Sequence, residues 1–416
     1  MLGRVTRATG ASRNDAERDD SSLRSPEFRA IWHAEIQSVI GDQLARVALS
    51  VLVWDRTGSY LWTTLAYGLT FLPDVVAGTV LKDVADRFPR RRVMVVCAVI
   101  QALLVALMSI PAAPLPLLMG CIVGEALALS PFISARTASL KVILAPDDLQ
   151  AGTSRLTFVR ETGQFLGLAG AGLVIGLIGT TPALLLDAAS YLVVAALLHR
   201  RVQPRPALRP AASAHHPLEP DRRRRPLVTY SMLITLTVMP HALVIPLIDE
   251  IGAPLWAAGV LLAADPLGMA ISSWMLGRRR IDPTSDVQVR RRLPALATLC
   301  LGALALFAFA PGLAWMVALL FVSGLCAVYQ TMARSAYLAL LPAAYSGRQV
   351  SLVRAAFRGL QGIAVIAGGA VAGWVGSATL TVAVTGAVGV VGVAATYAWQ
   401  TVQHTKPGAV SREPAA

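Results

Sequence analysis

Tyr60–Arg92 reads YLWTTLAYGLTFLPDVVAGTVLKDVADRFPRRR. The run from Tyr60 to Leu81 is apolar and long enough for one helix to cross a hydrocarbon core, which takes roughly 20 residues. Directly behind it stand Lys82, Arg87, Arg90, Arg91 and Arg92. A membrane-length apolar run followed by a burst of bases is the mark of a helix that ends on the cytoplasmic side.

Outward from this stretch the pattern recurs. Apolar runs cover Ile31–Trp54, Tyr60–Leu81, Val93–Ile110, Leu115–Ala135, Ala151–Ile178, Pro182–His199, Leu227–Ile248, Ala253–Leu276, Leu293–Ala310, Leu313–Ala333, Gly347–Val375 and Ala378–Trp399. Only helices and closed barrels satisfy their backbone polar groups in lipid. These runs are rich in Leu, Ala, Val and Gly and lack period-two alternation, so helices are expected rather than strands. The predicted fold is an all-α polytopic membrane protein with twelve transmembrane helices.

Composition agrees. The chain is 55% hydrophobic and 15% charged, against roughly 25% charged in soluble domains. Its net charge of +13 follows from where the bases sit. They crowd the even gaps: after the second run, between Arg200 and Pro226, and at Arg278–Arg280 with Arg290–Arg292. The odd gaps are short and almost free of base, with Arg56 the exception and Asp249 and Glu250 in the seventh. This bias predicts a cell-membrane protein with both termini cytoplasmic, and no nucleic-acid partner. Cys97, Cys121, Cys300 and Cys326 all fall inside apolar runs, without metal spacing or a disulfide framework. No cofactor or metal is expected, and His215 and His216 read as part of a solvated linker.

The expected organisation is a disordered cytoplasmic tail over 1–27, a six-helix bundle over 28–199, a flexible linker over 200–226, a second bundle over 227–400 and a tail over 401–416. The two bundles resemble each other. Ala135-Arg136-Thr137-Ala138 closes the fourth run and Ala333-Arg334-Ser335-Ala336 the tenth, at an offset of 334 − 136 = 198. The same offset joins Arg160 to Arg358 and Gly170 to Gly368. A duplicated six-helix unit, giving two pseudo-symmetric bundles, is a known transporter architecture.

Ala85-Asp86-Arg87 and Arg90-Arg91 bring a family into view. This gap resembles the signature loop of the major facilitator superfamily, G-x-L-A-D-R-x-G-R-R, between its second and third helices. Lys82 and Pro89 stand where that signature has glycines. The resemblance implies alternating access between two bundles around a midplane cavity. It also implies a conformational latch in which Asp86 faces a helix N-terminus and Arg87, Arg90 and Arg91 pair with carboxylates. Gly163, Gly167, Gly170 and Gly172 in the fifth run are similar to the motif of proton-coupled drug exporters, although Leu168 replaces its proline. Small residues at this spacing let helices approach closely.

Ionisable residues inside a span are functional candidates, since burial without a partner is costly. Glu35, Ser38, Asp42, Arg46 and Ser50 fall on one stripe of the first helix, and Arg46 is one turn from Asp42 and within pairing reach. Glu125 lies at mid-depth in the fourth helix without an obvious local partner. Asp74 and Asp265 each abut a proline, His241 sits next to the repeat equivalent of Asp42, and Arg354, Arg358 and Gln361 share a stripe. Asp187 reads as structural. Asp42, Arg46, Glu125, His241, Asp265 and Arg358 are the candidates for substrate contact or coupling.

The expected activity is export of a small organic compound coupled to protons, by a monomer in the lipid bilayer. Import or uniport of a metabolite is the alternative, and a non-transporting sensor or scaffold a more distant one. The chain lacks a phosphate-binding loop and hydrolase signatures, so an enzyme is not expected.

Overall fold

The computed structural model describes residues 22–80, 87–145, 148–205, 224–277, 291–310, 312–340 and 346–405. The side chains of Asp74 and Arg354 fall outside that description, as do the two histidines of the linker. Among the described residues the fold is all-helical. The helices are α1 (Pro26–Thr57), α2 (Tyr60–Gly68), α3 (Leu72–Val80), α4 (Arg90–Met108), α5 (Leu115–Ile143), α6 (Asp148–Ile178) and α7 (Thr180–Arg201). They continue with α8 (Arg224–Leu233), α9 (Met239–Ala242), α10 (Val244–Glu250), α11 (Trp256–Gly277) and α12 (Leu293–Ala305). The last four are α13 (Leu313–Cys326), α14 (Val328–Ala339), α15 (Ser346–Val375) and α16 (Ala378–Thr405).

Helix occupies each of the twelve apolar runs. Nine helices among the described residues are long and apolar enough to span a bilayer unbroken, or ten if the bent α8–α10 segment counts as one span. The second run is split into α2 and α3. Pro73 explains the split: it has no N–H to offer the carbonyl of Leu69, four residues back. The seventh run bends by 51° between Ala242 and Val244. Pro246 leaves the Ala242 carbonyl without its helical partner, and Pro240 does the same within the 3₁₀ turn at Ile234–Val238. The ninth run ends in a 3₁₀ turn at Leu306–Phe309.

The chain divides into two compact units, one drawn from Met1–Gly58 and Ala66–Ala214, the other from Ser59–Leu65 and His215–Ala416. In the first, α1 packs on α6 and α7, α4 packs on α5 and α7, and α3 packs on α5. The second repeats these pairings: α8 on α15 and α16, α12 on α13 and α16, and α11 on α13. Helix starts carry the same offset as the sequence repeat, since 313 − 115, 346 − 148 and 378 − 180 all equal 198.

Order begins earlier than the sequence suggested. Leu23 is buried, the Ser22 hydroxyl bonds Asp148, and Gly152 leaves room for Leu23 and Phe28 against α6. Arg205, assigned to the linker, makes two bonds to Glu27 at 2.7 and 3.3 Å. Two charges expected in a disordered tail and a flexible linker therefore pair with each other. Arg56, the stray base of the first gap, donates to the carbonyls of Pro111 and Ala113 at 2.6 Å each. In the second unit the Glu250 carboxylate caps the N-terminus of α16. It accepts from the Ala378 and Thr379 amides, the Thr379 hydroxyl at 2.7 Å and the Tyr60 hydroxyl at 3.2 Å.

Candidate functional site

Four helices of the first unit meet at one phenol. Tyr191 on α7 bonds Asp42 of α1 at 2.7 Å and Glu125 of α5 at 3.2 Å. Gln101 of α4 donates its amide to the same oxygen at 3.4 Å. Tyr191 and Gln101 are buried. The three anchoring positions lie within their spans, about 22, 15 and 16 Å from the Thr57, Leu115 and Thr180 helix ends at 1.5 Å per residue.

The hydrogen count sets the chemistry. A phenol has one hydrogen, and it serves one carboxylate. With Gln101 donating to the phenol oxygen, the second carboxyl must itself donate to complete the set. The cluster is therefore satisfied when one of the two acids carries a proton. Removal of that proton leaves two carboxylates competing for the single phenol hydrogen, with Ser38 as a further donor to Asp42 and Gln101 to Glu125.

Gly41 positions the cluster. A Cβ there would overlap the Asp187 carboxylate and stand 2.8 Å from the Ser190 hydroxyl. The glycine lets α1 close onto α7 and puts Asp42 beside Tyr191. Asp187 lies one turn before Tyr191, is buried, and accepts from Ser190 at 3.3 Å. It lies at the α1–α7 contact, close enough to Asp42 and Glu125 to act on both by charge.

Arg46 does not form the expected pair with Asp42. Its guanidinium donates to Gln43 at 3.2 Å and lies 5.8 Å from the Tyr67 ring centroid, a cation–π distance. Glu35, farther along the α1 stripe, is clamped instead by Arg136 of α5 and by Arg160 of α6 at 3.0 Å. The Glu35 side chain is 4% exposed, so this is a buried carboxylate between two bases. Arg136 thus reaches from α5 to α1.

The second unit carries a smaller set. His241 Nε2 of α9 lies 3.9 Å from Asp265 Oδ2 of α11. Subtracting the repeat offset of 198 maps His241 to Gln43 and Asp265 to Tyr67, the two residues that Arg46 touches. The same pair of positions is thus polar in both units, with different chemistry. Asp265 Oδ1, the Tyr329 hydroxyl and Gln361 Oε1 are buried with no hydrogen bond among the described residues. Ser323 stands where Glu125 stands in the first unit and contacts Cys300 at 3.4 Å. Arg358 is half-buried on α15. No group of three or more His, Cys, Asp or Glu suited to a metal ion occurs among the described residues.

Residues 35–285 match the model of the Major Facilitator Superfamily, more than half of the chain. The chain belongs to this superfamily. It is a multi-pass membrane transporter and not an enzyme. Solved structures share the superfamily fold at low identity. The nucleoside transporter NupG aligns with a TM-score of 0.71 at 13% identity, covering 89% of this chain and 98% of its own. A peptide transporter POT variant in complex with alafosfalin aligns at 0.70 and 14%, covering 94% and 99%. A bacterial homologue of the human lysosomal transporter Spinster aligns at 0.65 and 13%, covering 91% and 95%. No curated protein matches the chain.

The superfamily signature loop lies partly outside the described residues, which exclude Lys82 and Asp86. Arg87 is exposed. Arg90 donates to the Ala138 carbonyl at 2.8 Å, and Arg91 to the carbonyls of His199 and Val202 at 3.4 and 3.3 Å. Among the described residues these two arginines bind backbone carbonyls of their own unit, one within α5 and two at the end of α7, rather than the carboxylates expected of them. The end of α7 supplies orphan acceptors and a negative dipole end, which suit the Arg91 guanidinium; the Ala138 carbonyl lies five residues inside the end of α5 and offers Arg90 its second lone pair. Of the α6 glycines, Gly163 and Gly167 lie against Val39 and Gln43 of α1, where an added Cβ would stand at 3.0 and 2.8 Å. Gly170 faces open space and Gly172 is buried.

Tyr191 and Gln101 escaped the sequence reading, because an uncharged polar residue in a span is unremarked beside an acid. Helical spacing offered one signal: Tyr191 follows Asp187 by a single turn.

Proposed function

We propose that this superfamily member is a proton-coupled secondary transporter of the cell membrane that exports a small organic compound by alternating access. The single observation that supports proton coupling is the Asp42–Tyr191–Glu125 cluster. Its hydrogen bonds close with one added proton and open without it. In this reading Asp42 and Glu125 exchange the coupling proton. Arg46, His241, Asp265 and Arg358 contact substrate. The protein acts as a monomer with both termini cytoplasmic, and Asp86, Arg87, Arg90 and Arg91 steady one state of the cycle.

Export is favoured by the α6 glycines that resemble the drug-exporter motif, two of which pack on the helix carrying Asp42. Uptake or uniport is the second reading. Leu168 in place of the motif's proline, and the open space at Gly170, favour it.

The test is flux of a compound panel into everted membrane vesicles with and without an imposed pH gradient. Wild type accumulates at least one compound when the vesicle interior is acid. Asp42→Asn and Glu125→Gln abolish the gradient-dependent part. Gradient-driven flux that survives both substitutions unchanged removes the coupling assignment. Accumulation only in right-side-out vesicles replaces export with uptake.

A further inference from the structure

The second unit holds a carboxylate that its own chain leaves without a hydrogen bond. Asp265 lies within α11, about 13 Å from the Trp256 end at 1.5 Å per residue, and its side chain is 17% exposed. Backbone packing fixes its place. A Cβ on Gly324 of α13 would overlap the Asp265 carbonyl, and one on Gly268 would overlap the carbonyl of Phe321. The two backbones touch there, and the Asp265 side chain reaches instead toward His241 of α9.

An ionised carboxylate has about four acceptor positions. Among the described residues, Asp265 fills none of them. Oδ1 is buried with no hydrogen bond. Oδ2 lies 3.9 Å from His241 Nε2, beyond hydrogen-bond reach whether or not the imidazole is charged. No arginine or lysine stands within ion-pair distance of Asp265 among the described residues. The acids of the first unit differ in this respect, since Asp42 and Glu125 share Tyr191 and Glu35 is held by two arginines. On α11 itself, Leu261 and Met269 stand one turn before and one turn after Asp265, on the same face. The carboxylate is thus an acceptor without a donor, set in apolar surroundings at mid-span, where an unanswered charge is costly.

We infer that Asp265 binds the ammonium group of a lipophilic organic cation. Given the reading above that Asp265 contacts substrate, on which this step rests, the solute moved belongs to that class. An ammonium supplies the missing donor and the missing countercharge in one charge-assisted bond. A neutral compound supplies the donor alone, and an anion meets like charge. The apolar flanks Leu261 and Met269 suit the carbon skeleton that carries the amine.

Calorimetric titration of the purified full-length protein in detergent tests the site without any transport assay. The probes are phenylbutylamine, phenylbutanol and phenylbutyrate, matched in skeleton and differing in charge. Wild type is expected to bind the amine, a cation at neutral pH, about tenfold more tightly than the alcohol, and the carboxylate least. Asp265→Asn removes the preference for the amine, and Asp249→Asn, at an exposed acid of the same unit, keeps it. Absence of an amine preference in wild type overturns the inference. So does a preference that survives Asp265→Asn, and its loss in Asp42→Asn or Glu125→Gln would then place the cation at the coupling acids. If Asp265→Asn fails to fold, a photoreactive phenylbutylamine on wild type decides: labelling at 239–243 and 261–269 supports the site, and labelling only elsewhere refutes it. Should Asp265→Asn lose the preference while gradient-driven flux of the amine is unchanged, the cation site stands and the reading that Asp265 contacts substrate falls.

Discussion

At the scale of single residues, the first unit separates two kinds of buried acid. Glu35 is held between Arg136 and Arg160 and has no call for a mobile proton. Asp42 and Glu125 share one phenol, and their hydrogen bonds depend on how many protons are present. Tyr191→Phe isolates this difference, since it removes one oxygen and keeps the ring. A lost hydrogen bond to a charged group costs about 1.5–3 kcal/mol, roughly tenfold or more in an equilibrium. Gradient-driven flux is expected to fall by about that factor, while solute exchange without a gradient persists. Equal loss of both activities would mean that the phenol holds the helices together and does not manage protons. Asp42 and Glu125 were legible in the sequence because a charge inside an apolar run is conspicuous. Their juxtaposition was not, because Tyr191 lies 149 residues from Asp42 and only the packing of α1 on α7 brings them together. Arg46 was legible as buried but misread in its partner: i, i+4 spacing permits a pair, and Gln43 with the Tyr67 ring competes for the guanidinium.

At the scale of helices, small residues decide which contacts are tight. The glycine stripe on α6 looks uniform in sequence, yet the helix uses it unevenly. Gly167 opposes Gln43 of α1, where an added Cβ stands at 2.8 Å, and Gly170 faces nothing within 4 Å. Gly167→Ala must push α6 from α1 and costs about 1–3 kcal/mol. Gly170→Ala meets no neighbour and gains helix propensity of up to roughly 1 kcal/mol. Thermal unfolding in detergent is expected to rank Gly170→Ala at or above wild type and Gly167→Ala below it. The reverse order would place α6 in a different register against α1. Prolines were likewise half legible. Pro73 divides the second run and Pro246 bends the seventh, whereas Pro266 and Pro131 sit inside unbroken helices. The sequence names the carbonyl that loses its partner, and only the surrounding packing determines whether the helix breaks there.

At the scale of the whole molecule, repetition and charge asymmetry carry different information. The 198-residue offset reappears in three helix starts and in the pairing of helices within each unit, so the duplicated fold was readable from a few recurring residues. The chemistry was not duplicated with it. Glu35 maps to Leu233 and Glu125 to Ser323, which places the buried acid clusters in the first unit, while the second has the His241–Asp265 pair among the described residues. Orientation rests on the arginines alone, and a single-cysteine experiment reads it directly. Ala112, between α4 and α5, and Phe88, before α4, are both exposed and lie at opposite ends of α4. With the four native cysteines replaced, Ala112→Cys should react with a membrane-impermeant maleimide in intact cells. Phe88→Cys should react only after permeabilisation, because it lies in a gap crowded with bases. Arg56 does not upset this bias: its donors are held by the Pro111 and Ala113 carbonyls, so it is fixed in place by the loop that carries Ala112. Labelling of Phe88→Cys in intact cells would invert the topology and with it the direction assigned to transport.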